Sequence, residues 1–196
     1  MKNLAKKSVV AIGLMMSLSI FANEKEVTLK EKENNVTKVR FENVMKGSTL
    51  TIIDQYGMVL YNEAIQASGL YSKGFDLTTL PDGDYFFELN SDYKIVVVPF
   101  NVKTNVVVFD KESEESIYKP VIRTKDDMVY VSRPAVEKTS LKYKIFYASN
   151  DELVEAENFD EMEEVKKVYD FSNAERGKYV FVFESKGRVY SKTIKI

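Results

Sequence analysis

The chain has 196 residues, a formal charge of −2, 44% hydrophobic and 30% charged residues, and no Cys, His or Trp. Without Cys there is no disulfide, no thiol nucleophile and no lipid attachment through a cysteine, and without His the Ser-His-Asp and Cys-His chemistries and most zinc sites are excluded. The missing Trp removes the best ring for stacking on sugars or cations, and a mildly acidic chain offers no broad basic field, so nucleic acid is not an expected partner.

Residues 1–22 have a logic of their own. Lys2, Lys6 and Lys7 precede an uncharged apolar run from Ser8 to Phe21, closed by the small residue Ala22 and followed at once by polar Asn23-Glu24-Lys25-Glu26. That order is the basic, apolar and small-residue pattern of a secretory signal, with cleavage expected between Ala22 and Asn23. The run is shorter than a bilayer span, and no later run is long enough to be one, so the mature chain is expected to have no membrane span.

From Thr37 onward the chain reads as strands. Thr37 to Phe41, Thr49 to Ile52, Asp84 to Leu89 and Lys178 to Glu184 alternate polar with Val, Ile, Leu, Tyr or Phe, and Gly, Asp and Asn punctuate them. Period-two alternation of this kind marks half-buried strands. The best helical candidate is Asn158 to Val168, with room for one or two turns. Eight acids between Asn150 and Glu164 lack the spacing of a calcium loop and read as a solvated acidic edge.

Three blocks recur in the same order. Phe75 to Leu89 matches Tyr169 to Phe183, with Asp76/Asp170, Gly83/Gly177 and Tyr85/Tyr179 as equivalent pairs. Leu50 to Gly57 matches Tyr143 to Asn150, and Val39-Arg40-Phe41 is paired with Val129-Tyr130-Val131. A repeat of this length equals one sandwich domain rather than a solenoid unit. The fold class expected is therefore all-β: two tandem immunoglobulin-like antiparallel β-sandwich domains after a signal peptide. The boundaries are 1–22 for the signal, 23–103 for the first domain, 104–116 for a linker containing the acidic Asp110 to Ser116, and 117–196 for the second domain.

The motif Leu80-Pro81-Asp82-Gly83-Asp84-Tyr85 and its partner Ala174 to Tyr179 are read as turns leading into strands. Pro81 pre-sets φ, Gly83 can take a positive φ, and Tyr85 and Tyr179 fit a tyrosine corner, with the hydroxyl bonded back to nearby backbone. Asp76, Asp82 and Asp84 are the alternative, as calcium ligands. Asp54 to Gly57 and Ala148 to Asp151 read as hairpin turns, with Gly57 or Asn150 at positive φ; their alternative role is recognition at a loop tip. Carboxylate pairs are unavoidable among 30 acids, so none is assigned to catalysis. No enzyme activity, catalytic residue, cofactor or metal is expected.

The pattern Leu50, Ile52, Gly57, Leu60, Asp76, Leu77, Leu80, Gly83, Tyr85 resembles small exported Bacteroidetes-type β-sandwich domains of unknown function. It also resembles the C-terminal sorting domain of the type IX secretion system. The second repeat, with Asp170, Gly177 and Tyr179, ends in Tyr190 to Ile196, which is similar to the terminal strand of such sorting domains. The resemblance covers roughly residues 38–102 and 128–196. It implies a periplasmic, secreted or cell-surface protein with an unidentified protein or cell-envelope partner. It also implies, as an alternative, a type IX substrate whose second domain is an address. A carbohydrate- or calcium-binding module is the third expectation.

Overall fold

The computed structural model describes residues 10–11, 27–33, 36–110 and 113–196. Every regular element there is a strand, apart from one 3-10 turn at Leu77–Thr79, and every pairing given is antiparallel. The cleavage point Ala22/Asn23 lies outside the described residues. Within 1–22 only Val10–Ala11 is described, as β1, paired with a strand of the second unit. The chain divides into two compact units, one ending at Ile117 and the other resuming at Tyr118.

The first unit is a sandwich. One sheet runs β10 (Glu115–Tyr118), β8 (Lys94–Lys103), β7 (Gly83–Asn90), β4 (Thr49–Asp54), β5 (Val59–Ala64), with β9 (Val106–Phe109) also on β8. The other runs β2 (Val27–Glu33), β3 (Val36–Val44), β6 (Gly69–Phe75). Alternation does what the physics requires: on β7, Tyr85, Phe87 and Leu89 are buried, and on β3, Val39, Phe41 and Val44 meet them from the opposite sheet. Residues 104–116, expected as a linker, carry β9 and the start of β10. The reason is apolar: the Phe109 ring lies 5.4 Å from Phe100 and 6.4 Å from Phe87, so this stretch closes the core.

The second unit repeats the plan with longer strands. Its sheet runs β1, β13 (Glu152–Asp170), β12 (Met128–Tyr147), β14 (Lys178–Ser185), β15 (Arg188–Lys195), with β11 (Val121–Lys125) also on β12. β12 carries in one strand what β3 and β4 carry in two, and it shifts register between Pro134 and Thr139, where the first unit turns. Asn158 to Val168, the helical candidate, lies within β13. Val165 and Tyr169 point into the core at strand spacing, and the ladder to β12 overrides the weak i, i+3 spacing of apolar residues.

The ladders correct one pairing of the repeats. β3 pairs Thr37 with Phe75, Val39 with Lys73 and Phe41 with Tyr71. β12 pairs Val129 with Tyr169, Val131 with Lys167 and Arg133 with Val165. Since Phe75 and Tyr169 are equivalent, Thr37 matches Val129 and Val39 matches Val131. The sequence pairing was two residues out of register, an error that alternation cannot expose because it preserves the inward face. The true register sets Phe41, fully buried, against Arg133, which is only 2% exposed.

Candidate binding surface

The tyrosine pairs occupy equivalent places. Tyr85 Oη donates to Pro81 O at 2.8 Å, and Tyr179 Oη donates to Glu175 O at 2.7 Å, each bond closing the turn four residues upstream. Both rings are buried. The carboxylates of Asp76 and Asp170 each cap the backbone two residues on: Thr78 N donates to Asp76 Oδ1 at 3.2 Å and Ser172 N to Asp170 Oδ1 at 2.8 Å. Replacing Tyr85 or Tyr179 by Phe removes one part-buried hydrogen bond, and about 1 kcal/mol is expected to be lost in urea titration.

The glycines do different jobs from those expected. Gly83 is not in the positive-φ region; it opens β7, and its carbonyl accepts from Asn101 Nδ2 at 3.1 Å. Gly177 leaves room for the Tyr147 ring, since a Cβ there would lie 2.6 Å from Cε2 of Tyr147 and the ring would have to shift. The three acids considered for calcium are engaged separately. Asp76 accepts from Thr78, Asp82 Oδ1 from Thr104 N at 2.8 Å, and Asp84 Oδ1 from Asn101 Nδ2 at 2.7 Å. Among the described residues no three acids come together as metal ligands.

The hairpin turns differ between the units. In the first, Asp54 Oδ1 accepts from Tyr56 N at 2.9 Å and Met58 N at 2.8 Å, while Gly57 sits at φ +84°. This bonded turn holds Tyr56 85% exposed and Met58 63% exposed, with Val59 and Leu60 exposed behind them. In the second, the positive φ falls on Asp151 (+55°) rather than on Asn150, whose side-chain Oδ1 instead accepts from Glu152 N at 3.1 Å. That tip, Ala148 to Asp151, carries no large apolar side chain.

A charged network that sequence reasoning missed lies beside the first hairpin. Glu63 on β5 takes Lys73 Nζ of β6 at 2.8 Å and Tyr71 Oη at 2.7 Å, and Tyr61 Oη also bonds it. The bonds from Lys73, Tyr61 and Tyr71, with Lys73 the largest cause, lower the Glu63 carboxyl from 4.5 to about 2. The second unit repeats the ion pair at the equivalent positions, Lys167 Nζ to Glu157 Oε1 at 3.1 Å, with Tyr169 Oη on the same carboxylate. The recurrence of Glu63/Glu157 and Lys73/Lys167 at the repeat offset was the available signal. The four groups tie β5 to β6, the adjoining edges of two different sheets.

Because Glu63 is harder to protonate when folded, its contribution to stability is complete above about pH 4.5 and is lost as pH falls towards 2. Urea midpoints measured between pH 5 and 2 should fall for the native chain, and Glu63→Gln should flatten part of that slope.

No family model matches the chain, and no curated protein matches it. Among solved structures it is similar to the chicken interferon gamma receptor alpha chain, at 10% identity over 87% of this chain and 96% of that one, with a TM-score of 0.33. It is also similar to a tetra-tandem repeat in the extending region of a large adhesion protein, at 15% identity over 86% and 47%, with a TM-score of 0.29. A third is the human OSCAR ligand-binding domain, at 8% identity over 87% and 97%, with a TM-score of 0.26. At this level of likeness none of the three bears on what the chain binds. Among the described residues no helix is long and apolar enough to cross a membrane.

Proposed function

We propose that the chain is an exported, non-catalytic interaction protein that engages a protein of the cell envelope through the tip of the β4–β5 hairpin. The observation that carries this is the Asp54-clamped turn, which presents Tyr56 and Met58 to solvent on a backbone already held in place. A large aromatic beside a methionine is the composition of an interface anchor. The composition supports the non-catalytic part: neither His nor Cys is present to act as base or thiol nucleophile. The test is a photo-crosslinking phenylalanine analogue at position 56 in the producing cell. One dominant adduct is expected, and Met58→Ser should abolish it. No adduct, or the same adduct in Met58→Ser, would overturn the reading.

A second reading, type IX export with the second unit as the address, is favoured by the ending Tyr190 to Ile196, most of which forms the edge strand β15. Intact mass separates the two. An address is removed or exchanged at the cell surface, whereas a resident module starts near Asn23 and keeps Ile196.

A further inference from the structure

Among the described residues β5 ends its sheet, and its outer edge is paired with no strand. The equivalent edge of the second unit, Glu152 to Asn158 of β13, is also unpaired among the described residues, since β1 reaches only Tyr169 and Asp170. Both strands carry the same bulge: pairing steps from Ile52/Tyr61 to Ile53/Val59 in one, and from Ile145/Glu155 to Phe146/Leu153 in the other. The bulge therefore does not distinguish the two edges; charge does, and on the second Glu155 Oε1 also accepts from Ala156 N at 3.0 Å. Glu152 and Glu155 line the second beside Glu157, which Lys167 holds, and such charges are the device by which natural proteins keep edges apart. Met58 to Ala64 carries a single charge, Glu63, already held by Lys73.

We infer that two copies of the chain pair antiparallel through β5, about a twofold axis at Asn62. In that register Asn62 faces its own copy, Tyr61 faces Glu63, and Leu60 faces Ala64, so no like charges meet. The corresponding register on the second unit, about Ala156, sets Glu155 against Glu157 twice, and like charges directly opposed are destabilising. Leu60, Asn62 and Ala64 are exposed, so pairing asks only that Gln66 Nε2, which donates to Ala64 O at 3.0 Å, share or release that carbonyl. The contact is isologous and closes at two copies.

The absence of any native cysteine makes the geometry testable in the full chain. Asn62→Cys and Ala156→Cys are matched, exposed and equivalent. Directly opposed strand residues lie within disulfide range, so mild oxidation should dimerise Asn62→Cys about tenfold or more faster than Ala156→Cys. Sedimentation of the native chain should show a concentration-dependent dimer. Asn62→Glu, which sets a carboxylate against its own copy, should be a monomer whose melting midpoint equals that of the native chain at concentrations too low for pairing. A native chain that is monomeric at every concentration, equal crosslinking rates, or a dimer that survives Asn62→Glu would each overturn the inference. The dimer and the envelope contact fail separately, because the adduct at position 56 is read on a different protein.

Discussion

Arg133→Ala is expected to destabilise the second unit by about 3 kcal/mol, the combined effect of three lost hydrogen bonds and a cavity; Ser185 Oγ still donates to Ser140 O at 2.8 Å. Arg133 is almost wholly buried, and its described partners are all neutral. Nη2 donates to Thr139 O at 2.8 Å, and Nη1 donates to Ser185 Oγ at 2.8 Å and to Ser140 O at 3.3 Å. Burial pushes its pKa down. The guanidinium satisfies the carbonyls where β12 shifts register between Pro134 and Thr139, work that a turn of the backbone does in the first unit. Since Phe41 holds the equivalent place, Arg133→Phe should be clearly milder than Arg133→Ala: it fills the space and removes a buried charge, while giving up the guanidinium's bonds to Thr139 O and Ser140 O. Hydrogen exchange of β12 and β14 amides against urea reads both variants. Equal losses would refute the equivalence of positions 41 and 133.

Phe87→Ala should cost the first unit about 4 kcal/mol, the upper part of the range for large-to-small changes in a core. The Phe87 ring is fully buried and lies 5.1 Å from Phe100 and 5.4 Å from Phe75, the latter on the opposite sheet. It is one of the contacts between the two layers, and its neighbours are held by strands that cannot close the gap independently. Hydrogen exchange of β7 and β8 amides should show the loss. Phe109→Ala, on the strand formed from the expected linker, should show a smaller loss in the same amides. If Phe109→Ala had no effect there, β9 would not be part of this core.

The features legible without coordinates are local. Alternation at Asp84 to Leu89 and Lys178 to Glu184 named the inward faces of β7 and β14, because side-chain direction in a strand has a period of two whatever the strand pairs with. The turns before Tyr85 and Tyr179 were legible because the hydroxyl and its carbonyl are only four residues apart. The repeat was visible where those local signals recur.

Tertiary structure decided everything that depends on which strand lies opposite. A two-residue slip leaves every inward residue inward, so only the ladder could place Arg133 in the core opposite Val165 rather than on the surface. Glu63 and Lys73 are ten residues apart on different sheets, and Glu157 read as one more acid of a solvated edge until β13 brought Lys167 to it. Asp110 to Ser116 marked residues 104–116 as a linker by charge, yet Phe109 within that span packs half-buried against the core, because contact with Phe87 and Phe100 outweighs the polarity that follows it. Periodicity reports where a side chain points. What it meets there is set by the packing of residues distant in the chain.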